Sequence, residues 1–405
     1  MELPTNKAPH LLAPGTVGAI DVRNRVFAAP LTRGRAGPTR VPNDDLVQHY
    51  ADRAVHSGLI FTEATTVSES ANGWTNSAGL YTREQMEGWK RVNDAVHANG
   101  GRIVYQMWHM GRAAHSSFLG GEQIVAPSAI TINGANFGSD GVHAADGSKK
   151  PYEEPRALTI DEIAAIVEDY RRSATLAKEA GFDGIEVHSA NGYLLDTFLQ
   201  SSTNKRTDAY GGPVENRMRL LNEILDAILT VWDADRVGVR LSPNGVYNDM
   251  GSEDNIETFT YALQQLRARD LAFVHVMDGL GFGFHKKTDA FTLEAMQAVY
   301  QGTLIGNCGY TRDTAEAAIA AGNATAISFG RPFIANPDLP FRFAHDIPLA
   351  ESDPSKWFGG DSDGYNTYDF AEVAEIPEEQ PTASVIKAEA VSGSSVSGSS
   401  TISTN

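Results

Sequence analysis

The chain has 405 residues, of which 41% are apolar and 9% aromatic, and its 33 basic residues against 51 acidic ones give a net charge of −18. That composition is globular and long enough for a substantial core. The acidic balance argues against nucleic acid or an anionic membrane surface as partner, because both reward a basic face.

The single cysteine, Cys308, cannot form an intrachain disulfide or supply a cysteine-based zinc site. A reducing setting follows as the expectation. The N-terminal stretch has no continuous apolar leader segment, and no run approaches the length of a bilayer span. A cytoplasmic protein is therefore expected.

In chain order, short apolar runs rich in β-branched residues fall at 25–30, 58–64, 102–108, 182–188, 236–242, 271–278, 303–309 and 325–331. Most are apolar on both alternations, as in a parallel sheet covered on both faces. Between them lie helical patterns at 44–57, 84–99, 161–180, 214–232, 255–269, 291–300 and 313–321. In 161–180, Ile163, Ile166, Val167, Tyr170, Ala174 and Ala177 recur at three- and four-residue steps, with Thr159 or Asp161 as cap and Gly181 after the end.

Eight strand-then-helix units predict an α/β fold, a (β/α)8 TIM barrel. A doubly wound sheet alternates the same elements, but its G-x-G-x-x-G fingerprint is absent after the first strand. The stretch 109–159 after strand three is too long for a structureless loop and predicts a hairpin-bearing excursion over the barrel mouth. Residues 1–377 form the expected barrel domain. The Ser/Gly-rich segment 378–405 buries too little apolar surface to order itself and is expected to be a disordered tail.

Chemistry in such a barrel sits where the strands end. Strand three carries Gln106 and Trp108, strand four runs into His188, Asn191 and Tyr193, and strand five carries Arg240. Polar side chains on apolar strands are costly unless partnered. A ring of them at one rim points to a polar, planar or phosphorylated ligand. Gly309, Gly330 and Arg331, after strands seven and eight, suit a phosphate, which barrels of this type often hold there. Gln106 and Arg240 would then meet the far edge of the same ligand, a layout that suits flavin mononucleotide (FMN). A metal-dependent hydrolase is the rival reading, but strand one ends without a His-x-His pair and no metal site is expected.

These residues resemble the Old Yellow Enzyme family of FMN-dependent ene-reductases, in its classical branch. The resemblance runs from about residue 10 to about residue 370. It is carried by APLTR (29–33), GLIFTEAT (58–65), QMWHMGR (106–112), the block GFDGIEVHSANGYLLDTFLQSSTNKRTDAYGG (181–212), ENRMRL (215–220), GVRLSPNGVYN (238–248) and FGRPFIANPDLP (329–340). It implies that Pro30, Leu31, Thr32 and Ala64 contact the flavin ring and that Gln106 and Arg240 hold its pyrimidine edge. Gly309, Gly330 and Arg331 would bind the phosphate. His188 and Asn191 would receive the substrate carbonyl oxygen, Tyr193 would donate the proton, and Trp108 would shape the substrate pocket.

Two features depart from the common pattern. The pair Trp357-Phe358 stands where classical members commonly have an aromatic residue and a tyrosine, which puts Phe358 at the substrate pocket without a hydroxyl. Asn191 stands where some relatives use histidine. The lone cysteine excludes an iron–sulfur relative.

The expected reaction reduces the C=C bond of an α,β-unsaturated carbonyl compound in two alternating halves, with NADPH, ahead of NADH, as hydride donor. Reduction of nitro compounds or nitrate esters in the same pocket, or a non-catalytic flavin-binding protein, are the alternatives. The partners are small molecules, and the oligomeric state is not legible.

Overall fold

Each of the eight apolar runs forms a short strand in the computed structural model, which describes residues 3–281 and 283–371. The strands are β1 (Val26–Ala28), β2 (Leu59–Phe61), β3 (Ile103–Trp108), β4 (Gly184–Ser189), β5 (Val237–Leu241), β6 (Phe273–Met277), β7 (Leu304–Asn307) and β8 (Ala326–Phe329). Consecutive strands pair in parallel, and β8 returns to β1 with Ile327 opposite Val26, so the sheet closes into a barrel.

Because side chains alternate along a strand, each strand serves two cores. Val26, Ile60, Tyr105, Val187, Val239 and Val274 face outward onto the helices. Phe27, Leu59, Phe61, Val104, Phe273 and Ile305 fill the lower interior. The expected tail from residue 378 lies outside the described residues. Among those described, no helix is long and apolar enough to cross a membrane.

Helices follow the strands: α1 (Asp44–Ala54), α2 (Arg83–Ala98), α3 (Ile160–Ala180), α4 (Arg219–Leu229), α5 (Asn255–Ala268), α6 (Leu293–Tyr300), α7 (Arg312–Ala320) and α8 (Leu339–His345). The pattern at 214–232 divides into Val214–Arg217 and α4, which meet at Met218. The Arg217 side chain there is drawn inward to the Leu199 carbonyl and Asp254.

α3 starts at a capping box, in which Thr159 accepts from the Glu162 N–H and Glu162 accepts from the Thr159 N–H. Gly181, at φ +84°, ends it. Thr159→Ala should lower stability by about 1 kcal/mol. A urea midpoint equal to wild type would contradict that cap.

Two features shape the ends of the barrel. An antiparallel hairpin, Gly15–Val17 with Ile20–Val22, was not expected from the sequence. Its Val17, Ile20 and Val22 pack into the lower interior cluster. Gly18 makes the turn at φ +54°, where an added Cβ would stand 2.0 Å from the Asp235 carbonyl oxygen. This hairpin plugs the lower end.

At the other end, the 109–159 excursion carries the expected hairpin, which pairs Val142–His143 with Lys149–Lys150. A second pairing, Val125–Ala126 with Arg156–Ala157, is parallel and ties the excursion's two ends together.

Candidate active site

Alternation on β4 sends Glu186 and His188 inward, while Ile185 and Val187 face the helices. His188 lies opposite Arg240 in the β4–β5 register and is buried. Its Nδ1 has no hydrogen-bond partner. Burial, then the positive charge of Arg240 and the neighbouring His275, hold the imidazole well below its ordinary range, so it is neutral at physiological pH.

After Ser189 the chain turns sharply, with Asn191 at φ +60° and Gly192 at +73°. Asparagine is among the few side chains that accept this region readily. The turn is fixed through its main chain. The Asn191 N–H donates to Ser242 Oγ (2.7 Å), its carbonyl accepts from Asn248 Nδ2 (2.8 Å), and the Gly192 N–H donates to Asp196 Oδ2 (2.8 Å). None of these bonds uses the Asn191 side-chain amide.

Tyr193 opens the short helix Leu194–Leu199. Its ring sits edge-to-face with His188 (centroids 5.0 Å apart, 85°) and with Trp108 (5.0 Å, 83°). Burial and the neighbouring Tyr247 and Tyr152 hydroxyls raise the phenol well above its ordinary value, against the pull of Arg240. The phenol therefore keeps its proton at neutral pH. Trp108 and Ala64 share an apolar cluster that the Tyr193 ring borders. Burial pushes His109 to about 4, and its Nδ1 accepts the Gly111 N–H.

The other rim residues occupy the ends of β1, β7 and β8. Pro30, Leu31 and Thr32 are half-buried. Leu31 Cδ2 lies 3.4 Å from where a Cβ on Gly330 would stand, and Gly309, at φ +87°, has open space beside it. Arg331 is exposed, with its guanidinium 5.2 Å from the Trp357 ring centroid. Phe358 is 56% exposed and its ring lies 5.5 Å from that of Trp74.

Thus His188, Tyr193, Trp108 and Ala64 form one set of contacts, which Arg240 joins opposite His188 and Gln106 two residues before Trp108. Asn191 belongs to it through the main chain of its turn. Phe358 stands at the outer edge, beside Trp74.

These residues fit a flavin. Arg240 donates Nη2 to Asn307 Oδ1 (2.7 Å), while its Nε and Nη1 are buried without partners. Gln106 uses its amide nitrogen on Glu186 (2.6 Å), and its carbonyl oxygen makes no bond to another described residue. Orphaned buried donors beside a free acceptor suit the alternating groups of a pyrimidine edge. The open backbone at Gly309 suits an anion. Among the described residues no group of three or more histidine, cysteine or acidic side chains could hold a metal ion.

The sequence profile of the NADH:flavin oxidoreductase / NADH oxidase family matches residues 10–350. The chain belongs to that family. A probable flavin mononucleotide-dependent alkene reductase of Leishmania infantum is 41% identical over 361 residues, 89% of this chain and 97% of the relative. Among solved structures, morphinone reductase superposes with a TM-score of 0.85 at 41% identity, covering 92% of this chain and 99% of that one. An Old Yellow Enzyme homologue from Zymomonas mobilis gives 0.84 at 41% identity, covering 90% and 100%. This chain is accordingly an NAD(P)H-dependent flavin oxidoreductase of the Old Yellow Enzyme type.

Several site residues were missed in the sequence. Glu186 and His275 each interrupt an apolar run at an inward position, the same signal that marked Gln106 and Arg240. Arg112 is buried and donates to the carbonyls of Ile130 (3.0 Å) and Asn248 (2.9 Å), joining the excursion to the loop after β5. Nothing in its local sequence distinguished it from a surface arginine.

Proposed function

We propose that this oxidoreductase holds FMN across the barrel mouth and that His188, Asn191 and Tyr193 act on the alkene. The reaction is the reduction of activated C=C bonds with NAD(P)H. FMN, when bound, would supply the hydride chemistry that links the nicotinamide to the alkene's β carbon. The observation that carries the reading is the Tyr193 phenol wedged between His188, which lies opposite Arg240 in the β4–β5 register, and Trp108, two residues beyond Gln106 on β3.

The residues divide the remaining work. Pro30, Leu31, Thr32 and Ala64 line the ring. Gln106 and Arg240 hold its pyrimidine edge, and Gly309, Gly330 and Arg331 take the phosphate. The neutral His188 and the Asn191 amide donate hydrogen bonds to the substrate carbonyl oxygen, which draws electrons out of the conjugated C=C. They also stabilise the negative charge that gathers on that oxygen. Tyr193 transfers its hydroxyl proton to the α carbon and is reprotonated from solvent. Its raised pKa is compatible with this step because an enolate carbon is a stronger base still. Trp108 and Phe358 bound the substrate space.

The visible spectrum of the purified protein tests the whole. Flavin absorbance should bleach when NADPH or NADH is added without oxygen and return on adding a cyclic enone. A colourless protein that cannot be reconstituted with FMN would overturn the reading.

A pH profile tests His188 separately. Its ordinary value is about 6.5, and its environment lowers it. The N–H donor is therefore the neutral ring throughout pH 6–8, and reoxidation by an enone should show no inflection near 6.5. A rate that falls as pH rises through 6.5 would mean that the imidazolium is required.

A further inference from the structure

Beginning beneath His188 and ending at Arg240, a line of hydrogen bonds crosses the barrel interior. Gln106 Nε2 donates to Glu186 Oε1 at 2.6 Å. Glu186 Oε2 meets His275 Nδ1 at 2.7 Å, and His275 Nε2 meets Ser328 Oγ at 2.7 Å. The Ser328 carbonyl accepts from Asn307 Nδ2 (2.9 Å), and Asn307 Oδ1 accepts from Arg240 Nη2 (2.7 Å). Six strands contribute, β3 to β8, and Glu186 and His275 are completely buried.

With Glu186 as a carboxylate and His275 neutral, donor and acceptor rules give the orientations along this line, the Ser328 hydroxyl having the Gly306 carbonyl as a longer alternative acceptor at 3.4 Å. A carboxylate only accepts, so Gln106 must turn its NH2 toward Glu186, which leaves its carbonyl oxygen for the mouth. Burial lowers the His275 imidazole, which is therefore neutral and has one N–H. Glu186 claims that N–H at Nδ1, so Nε2 must accept from the Ser328 hydroxyl. Asn307 is fixed likewise, and it holds Arg240 by one nitrogen only. A buried carboxylate is costly, and two donors are arranged around this one. It also stands close enough to Arg240 to favour that residue's charged form.

We propose that Glu186, oriented by His275, is a positioning residue for the flavin reaction. It sets which face of the Gln106 amide meets the pyrimidine edge of FMN and offsets part of the Arg240 charge there. This rests on the reading that Gln106 and Arg240 hold that edge. A buried network that merely stiffened the barrel would leave the electronics of the bound flavin unchanged.

The test uses the holoenzyme and the variant Glu186→Gln. The new amide can accept from Gln106 and donate to His275 if the imidazole moves its proton from Nδ1 to Nε2, so packing and orientation persist while the negative charge is lost. The reduced, negatively charged FMN should then gain about tenfold in binding relative to oxidised FMN, a midpoint potential about 30 mV more positive for a two-electron couple. Nitrogen NMR of His275 should report the tautomer exchange.

Should Glu186→Gln fail to accumulate, His275→Leu, which removes the donor to the carboxylate, should shift the potential in the same direction. His275→Asn, which restores an N–H there, should return it toward wild type. Gln106→Ala serves as the comparison. If it changes FMN affinity or potential while the Glu186 and His275 variants do not, the proposal falls and the flavin reading stands. If Gln106→Ala also changes neither, both fall.

Discussion

Tyr193→Phe should leave reduction of the bound flavin by NADPH unchanged and slow its reoxidation by a cyclic enone about 10²- to 10⁴-fold, the usual span for loss of a general acid. The substitution removes one oxygen. The ring contacts with His188 and Trp108, both edge-to-face at 5.0 Å, are kept, so the pocket wall keeps its shape. What is lost is the hydroxyl proton assigned to the α carbon, and a more distant donor or water must replace it. A quinone, whose reduced oxygens take protons directly from water, should still reoxidise the variant at the wild-type rate. The two half-reactions are separable by anaerobic stopped flow. Enone reoxidation at the wild-type rate would remove Tyr193 from the mechanism.

Asn191→Gly should slow the alkene half-reaction by about 10²- to 10³-fold, the typical loss for one donor to a developing oxyanion, or about 3 to 4 kcal/mol. Glycine is the informative replacement because Asn191 sits at φ +60°. Alanine would add about 1–2 kcal/mol of left-handed backbone strain and confuse loop damage with donor loss. Glycine accepts the same φ and keeps the N–H to Ser242 and the carbonyl to Asn248. The thermal midpoints should therefore separate: near wild type for glycine, lower for alanine. A glycine variant with unchanged enone turnover would show that His188 alone receives the carbonyl oxygen.

The barrel was legible because most of the eight strands are apolar on both alternations, the pattern of a parallel sheet covered on both faces. The His-x-x-Asn-x-Tyr spacing after β4 was legible for the same reason: polar groups stand out at the end of an apolar run. Other features were hidden by distance in sequence. Glu186 and His275 are 89 positions apart and hydrogen-bonded, and neither justifies the other until the barrel closes. Asn248 holds Asn191 from the next strand's loop, and only the fold brings them within 2.8 Å. The hairpin at residues 15–22 was missed because two three-residue strands carry too little alternation to register.

That hairpin has a consequence for traffic. Val17, Ile20 and Val22 pack with Phe27, Phe61 and Phe273 into one solid floor, so the barrel offers no passage from below and reactants approach the proposed flavin site from the mouth. If the reaction runs in the two alternating halves expected from the sequence, the spent nicotinamide must vacate before an alkene can enter, so the two reactants compete as well as cooperate. Excess of either should crowd out the other, and at saturating nicotinamide the departure of the first product, rather than bond-making, would set the pace.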